Sequence, residues 1–407
     1  MKSKSLASMI CAAAMSVMLT ACGGNAELPS SDSAISSDSV STAGDSTTEE
    51  SQNMNTETVY KATEENVKLL GRTYFDIDRL YCALSGTGFE FTFTGTKCTI
   101  EVIGDGNSAT EANADNHARV GIYVNGERVI DDMVDHTEEV YTVFESDEPR
   151  EVTVTFVKLS ESPMSTIAVT DINVTGTPIK PTPDKEKLIE FIGDSITCGY
   201  GADDPDKDHN FSTKTEDVTK AYAYKTAQAL DADYSMVSFS GYGIISGYSD
   251  GEKKVSAQTV PKYYTKLGYS WATHGLFAPS DVDWDFSKRQ PDVIVINLGT
   301  NDDSYTLTHK DRQEEYSAAY AEFLKKVREN NPDAKIVCAL GVMTDRLFPY
   351  VEQAVENYTA ETGDGNISTL KFDVQQASDG YSADWHPSIT THDKTAAKLT
   401  EYLKTIM

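Results

Sequence analysis

Leu188-Ile189-Glu190-Phe191-Ile192-Gly193-Asp194-Ser195 is a short apolar run that ends abruptly in Gly-Asp-Ser. Five residues of this kind read as a buried strand, and Gly193 permits a sharp turn, so Ser195 should stand at the carboxyl edge of that strand. Beyond Ser195 the chain alternates between two periods. Residues 221–230 look helical, 234–239 extended, and 293–298 form a nearly all-apolar run, as in a strand buried on both faces. Over 311–330, Tyr316, Ala319, Tyr320, Phe323, Leu324 and Val327 share one helical face. A strand at 335–340, a helix at 347–362, a strand at 369–374 and a helix at 391–406 complete the pattern. Strand and helix in alternation predict an α/β fold, a parallel sheet with helices on both faces. Ligands in such folds sit beyond the carboxyl ends of the strands.

The 407 residues are too many for one ordinary domain, and two are expected. Residues 58–176 have a different texture from the rest. Short β-branched and aromatic runs at 89–93, 98–103, 120–124, 139–144, 152–157 and 167–174 are separated by turn residues. Asn125-Gly126 between apolar runs is a hairpin signal. This stretch reads as an all-β sandwich, residues 177–186 as a Pro-rich linker, and 187–407 as the α/β domain. Residues 23–57 are Ser-, Thr- and acid-rich and bury too little to fold, which suits a solvated tether.

Residues 1–22 read as a leader. Lys2 and Lys4 precede an apolar core over 6–19 that is short for a membrane span. Leu19-Thr20-Ala21-Cys22-Gly23 then resembles a bacterial lipobox, so lipidation of Cys22 and a place at the cell surface are expected. An ordinary leader cut near Ala21, with secretion, is the alternative. The formal charge of −29 argues against nucleic acid and against a polybasic membrane patch. Cys82, Cys98, Cys198 and Cys338 contain no Cys-x-x-Cys, so no structural zinc is expected. They read as buried thiols, with a Cys82–Cys98 bridge as the alternative.

Three blocks carry chemistry. Ser195 needs a positioned base to become a nucleophile, and its own amide can help hold an oxyanion. Gly299-Thr300-Asn301-Asp302 places polar groups after the 293–298 strand, where the Asn301 amide could also meet an oxyanion; Gly241, after the 234–239 strand, offers a further backbone donor. Asp302 is expected to anchor its own loop. His386 in Ser382-Ala383-Asp384-Trp385-His386-Pro387 precedes the last helix, whose start Pro387 suits. His392, on that helix, is expected to be solvated. Gly247-Tyr248-Ser249-Asp250-Gly251 matches a nucleophile elbow as a string, but no strand leads into Ser249, so it reads as a loop.

Gly193-Asp194-Ser195, Gly241, Gly299-Thr300-Asn301-Asp302 and His386-Pro387 together resemble the four ordered blocks of the SGNH (GDSL) hydrolases. That resemblance implies a three-layer α/β/α domain, with Ser195 as nucleophile, His386 as base, and Gly241, Asn301 and the Ser195 amide as the oxyanion hole. Gly71-Arg72-Thr73, 86–91, Pro261-Lys262-Tyr263-Tyr264 and Asp384-Trp385-His386-Pro387 resemble carbohydrate esterase family 2 more closely. This implies an N-terminal jelly roll and removal of acetyl groups from plant polysaccharides such as xylan or glucomannan, including at the primary 6-position, without metal or cofactor.

One position departs from the pattern. An SGNH Asp three residues before the His is replaced by Ala383, and Asp384 lies only two before. Asp384 could orient His386, contact substrate or cap the next helix; a backbone carbonyl could orient His386 instead. Trp385, Trp284 and Tyr242 could wall a sugar site or pack the core, and Asp194 could make turn or active-site hydrogen bonds. A monomer is expected. Rival readings are a lipid esterase or thioesterase of the same fold and a carbohydrate-binding lipoprotein without catalysis.

Overall fold

A computed structural model describes residues 56–407. Cys22, the leader and nearly all of the tether lie outside the described residues.

The first layer is an antiparallel sandwich. Its strands run in the order Thr73–Asp76, Arg79–Cys82, Ile167–Gly176, Gly88–Gly104, Glu138–Lys158, Ala118–Val124 and Glu127–Val134. Glu57–Tyr60 pairs with Ile167–Gly176, and Lys68–Leu70 pairs with Gly88–Gly104. Asn125 and Gly126 both take positive φ, 52° and 84°, as a tight two-residue hairpin requires. Phe89, Phe91, Phe93, Val154 and Phe156 fill the interior, and Phe89 stacks on Phe156 at 5.2 Å.

Two long strands replace four expected short ones. The runs at 89–93 and 98–103 belong to one strand, Gly88–Gly104, and those at 139–144 and 152–157 to another, Glu138–Lys158. Their pairing shifts register between Gly95 and Lys97 and again between Cys98 and Thr99. Gly95 also crosses Gly176 so closely that a Cβ would lie 2.2 Å from the Thr175 carbonyl. What looks like a turn in the sequence is an irregularity inside a continuous strand. The expected linker is likewise drawn in: Lys180–Pro181 pairs with Thr92 and Phe91. Cys82 and Cys98 are buried free thiols, without a bridge between them.

The second layer is a five-stranded parallel sheet. Its order is Asp233–Ser238, Leu188–Gly193, Val293–Asn297, Lys335–Val342, Ile367–Val374. Period-two alternation splits its side chains between two cores. Ile192, Ile294, Ile296 and Ile336 meet Tyr316, Tyr320, Phe323 and Val351 of helices Lys310–Asn330 and Phe348–Thr362. Ile189, Phe191, Val293, Val295 and Val337 meet Tyr222, Ala223 and Ala227 of helix Tyr222–Ala229 and Leu399 and Leu403 of helix Ile389–Lys404. This is the expected three-layer α/β/α arrangement preceded by an all-β domain.

His392 is not solvated. It shares the buried face of the last helix with Ala396, Leu399 and Leu403 and is fully enclosed, its Nδ1 accepting from the Tyr222 amide at 3.1 Å. Burial pushes its pKa down to about 3.

Charged groups close the seam between the two domains. Arg72 is fully buried and grips Glu190, in the middle of the first catalytic strand, through the Nε–Nη2 edge of its guanidinium at 2.9–3.3 Å, while Nη1 donates to the Tyr264 and Lys266 carbonyls. Lys68 reaches Asp233 at 2.6 Å, Arg119 reaches Asp203 at 2.7 Å and Arg128 reaches Asp217 at 2.8 Å.

Candidate active site

Ser195 opens a four-residue helix, Ser195–Cys198, at the end of the first catalytic strand. Asp194 caps it, accepting from the Ile196 amide at 3.0 Å. Gly193 has no room for a side chain, since a Cβ would lie 2.0 Å from the Thr197 hydroxyl. The two neighbouring strands end level with it, Gly193 pairing with Ser238 on one side and Asn297 on the other. Gly241 and Asn301 therefore flank the serine by topology alone.

The His386 loop comes from the far end of the chain. Ser382 and His386 form a two-residue ladder. The last helix begins at Ile389 with Ser388 as its cap, so Pro387 lies before the helix rather than in its first turn. Ser195 Oγ donates to His386 Nε2 at 2.8 Å, and His386 Nδ1 donates to the Ala383 carbonyl at 3.1 Å. Burial pushes the His386 pKa down to about 4, so the imidazole is neutral and its Nε2 free to accept a proton across the ordinary pH range.

The carboxylate of Asp384 plays no part in that chain. Asp384 and Trp385 both have positive φ, 51° and 63°, an uncommon pair for non-glycine residues. The kink aims the Ala383 carbonyl at the imidazole while the Asp384 carboxylate accepts from the Tyr200 hydroxyl. The Tyr200 ring then stacks on His386 at 3.8 Å and 18°. Ala383 itself is fully buried, and its methyl packs against Gly201, where an added Cβ would lie 2.8 Å away.

The Ser195 and Gly241 amides donate no hydrogen bond among the described residues. Gly241 has φ +78°, and a Cβ built on it would meet nothing within 4 Å, so this turn borders open space. Asn301 Nδ2 donates one hydrogen to the Tyr242 carbonyl at 2.9 Å and keeps a second. Asp302 does not anchor its own loop. Its carboxylate accepts from the amides of Ile244, Ile245 and Ser246 at 2.7–3.1 Å and fastens the loop that comes after Gly241. Burial outweighs those amides and pushes its pKa up to about 6.

Three expected substrate contacts are not at the cleft. Tyr242 is 2% exposed and packs among Phe239, Tyr263 and Tyr269; only its carbonyl serves the site. Trp284 lies at the opposite ends of the strands and covers the Arg72 guanidinium at 5.4 Å. It lines a cavity of about 420 Å³ with Leu188 and Asp233, which includes neither Ser195 nor His386. Asp194 is fully buried, and burial, with Asp302 and Glu161 nearby, pushes its pKa up to about 7. Trp385 adjoins His386 in the chain and is half exposed, with Lys207 over its ring at 4.8 Å. Ser249 is a loop residue whose hydroxyl donates to the Lys253 carbonyl.

Among the described residues, two groups bring three possible metal-ligating atoms within 4.8 Å: Asp135, His136 and Glu139 on the surface, and Glu161, Cys198 and Glu216 in the interior. Neither contains a member of the dyad. Tyr200 and Glu161 carry no signal of a role in the sequence. Tyr200, five residues after the nucleophile, fits no period, and the side-chain contacts of Glu161 exist only across the domain seam.

A five-stranded parallel sheet between helical layers, with a serine–histidine pair at its carboxyl edge, defines a hydrolase fold of the SGNH type. A model of the GDSL-like lipase/acylhydrolase family matches residues 191–394, and one described as carbohydrate esterase 2 N-terminal matches residues 69–183. The chain belongs to the GDSL-like lipase/acylhydrolase family, and the N-terminal domain of carbohydrate esterase 2 precedes its catalytic layer. It is 33% identical over 329 residues to the cellulase/esterase CelE of Acetivibrio thermocellus, covering 79% of this chain but only 37% of that protein. It is 27% identical to an acetylxylan esterase/glucomannan deacetylase of Cellvibrio japonicus, over 85% of this chain and 90% of that one. A family two carbohydrate esterase from Clostridium thermocellum, solved in complex with cellohexaose, superimposes with a TM-score of 0.72 at 29% identity, over 84% and 98% of the two chains.

Proposed function

We propose that this protein is a serine esterase that removes O-acetyl groups from plant cell-wall polysaccharides of the xylan or glucomannan class. The observation that carries the reading is the Ser195 Oγ–His386 Nε2 hydrogen bond of 2.8 Å, set beside two undonated amides. Ser195 Oγ attacks the acetyl carbonyl carbon as its proton passes to His386 Nε2. The oxyanion rests on the Ser195 and Gly241 amides and the free hydrogen of Asn301 Nδ2. Collapse breaks the ester bond, and the departing sugar oxygen takes the proton from Nε2. Water, deprotonated by the same nitrogen, then releases acetate. Trp385, half exposed and adjoining His386 in the chain, offers an aromatic face to a sugar ring.

Acetate release from acetylated xylan, glucomannan and monosaccharides tests the substrate class, with 4-nitrophenyl esters of rising chain length as the comparison. Faster turnover of long esters would replace the reading with a lipid esterase. Full activity in Ser195→Ala would remove the mechanism. The same reading expects a monomer, and from the 19–23 motif it places the protein at a bacterial cell surface, anchored through lipid on Cys22. Among the described residues no helix is long and apolar enough to cross a membrane. Cys22→Ala is expected to move the protein from the membrane fraction to the medium.

A further inference from the structure

Beneath the nucleophile lies a polar cluster that the proposed acyl transfer does not use. Lys158 and Glu161 come from the sandwich side, Cys198 and Glu216 from the catalytic side, and all four are fully buried. One carboxylate oxygen of Glu161, Oε2, accepts from the Ser240 amide at 2.7 Å and lies 3.8 Å from the Cys198 sulfur, whose thiol has a nearer acceptor in Ser238 Oγ at 3.2 Å. Ser240 immediately precedes Gly241, and Cys198 ends the short helix that Ser195 opens. A single side chain from the other domain thus reaches two of the three elements that would hold the oxyanion.

Glu161 is itself held. Its amide donates to Glu216 Oε2 at 3.0 Å, and its carbonyl accepts from Lys158 Nζ at 3.1 Å. Burial pushes the Glu161 and Glu216 carboxyls up, and it pulls the Lys158 ammonium down to about 8. Isolated buried charges are costly, so such a group is retained against a steep penalty. The second oxygen of each acid, Oε1, has no partner among the described residues.

We infer that Glu161 of the sandwich domain is a positioning residue for the oxyanion hole, holding Ser240 so that the Gly241 amide faces the reacting carbonyl. Beyond Gly241 the loop is clamped by Asp302; ahead of it, the clamp is Glu161. Asp302 belongs to the catalytic domain, whereas Glu161 makes the geometry of the hole depend on the sandwich. The inference rests on the acyl-transfer reading above.

The test compares Glu161→Gln, Glu161→Asp and Glu161→Ala in the full chain, each checked for native circular dichroism and thermal unfolding. Gln keeps an oxygen for the Ser240 amide and is expected within about threefold of the parent kcat. Asp withdraws the acceptor by one methylene and Ala removes it; displacement of a donor by about 1 Å typically costs about 10²-fold, so kcat should fall by about 10- to 100-fold with KM little changed. Methylboronic acid, whose tetrahedral adduct on Ser195 places an oxygen in the hole, should lose affinity in proportion, while inhibition by acetate should not change. A purely structural role would not separate these two inhibitors. If Ala fails to fold, the contrast between Gln and Asp decides. Folded Asp or Ala variants with parent kcat and parent boronate affinity would overturn the inference, as would equal losses in Gln and Asp. Ser195→Ala distinguishes the failures: if it remains active, the acyl-transfer reading falls, whatever Glu161 does.

Discussion

His386 takes its orientation from the main chain of Ala383, three residues before it, through a 3.1 Å bond from Nδ1 to the carbonyl oxygen. The nearest acid in sequence, Asp384, is engaged by Tyr200 instead. A carbonyl dipole fixes the tautomer as a carboxylate would, without placing a full charge beside the imidazolium. Asp384→Asn is expected to keep kcat/KM for an acetyl ester within about 10-fold, whereas Ser195→Ala and His386→Ala should each cost about 10³-fold or more. Equal losses at Asp384 and His386 would restore a three-residue mechanism.

Asn301 has two functions at one nitrogen. It donates to the Tyr242 carbonyl and has a second hydrogen to offer. Asn301→Ala should lower kcat by about 10²–10³-fold, the usual cost of one oxyanion donor, with a smaller change in KM. Steady-state kinetics on 4-nitrophenyl acetate reads both.

The proton balance at His386 sets the acid limit of activity. The base works only when neutral, and its pKa lies near 4 rather than at the ordinary value of 6.5. Activity should be lost as pH falls through about 4 and stay flat from about 5.5 to 7. A kcat/KM profile with an acid limb near 6.5 would contradict the burial argument.

His392 links stability to pH in the same direction. Its folded pKa, about 3, lies below the unfolded value near 6.5. Above about 6.5 neither state binds the proton and nothing changes. Below it the unfolded chain takes the proton up and the native chain does not, so stability falls as pH falls, by about 1.4 kcal/mol per unit until about pH 3. His392→Gln should remove this dependence. Between pH 7 and pH 5, the stability difference between parent and variant in urea unfolding should shift by about 2 kcal/mol.

Arg72 and Glu190 answer each other across the seam, both buried. Arg72→Leu leaves a carboxylate stranded and should destabilise by about 3–5 kcal/mol. Adding Glu190→Leu should recover most of that loss, as measured by thermal unfolding.

The catalytic sheet is legible in the sequence because strands alternate with helical stretches, with the apolar run 293–298 the clearest, and because the Ser195, Gly241 and Asn301 blocks each come directly after a strand end. Trp385 and Trp284 cannot be told apart there, since a tryptophan in sequence carries no information on which end of a sheet it occupies. His392 is legible in principle: its spacing to Ala396, Leu399 and Leu403 is that of a buried helical stripe. Glu190 and Arg72 are not, because an acid within an apolar strand signals a partner without naming it. Gly95 misleads because a glycine crossing point and a turn look alike in sequence.

Arg72 also has a temporal meaning. A chain made from its N-terminus exposes this guanidinium more than a hundred residues before Glu190 exists. A sandwich formed before that strand would hold a cation without its counter-charge. The strand that ends in the nucleophile is therefore also the strand that supplies the partner of its neighbour's buried cation.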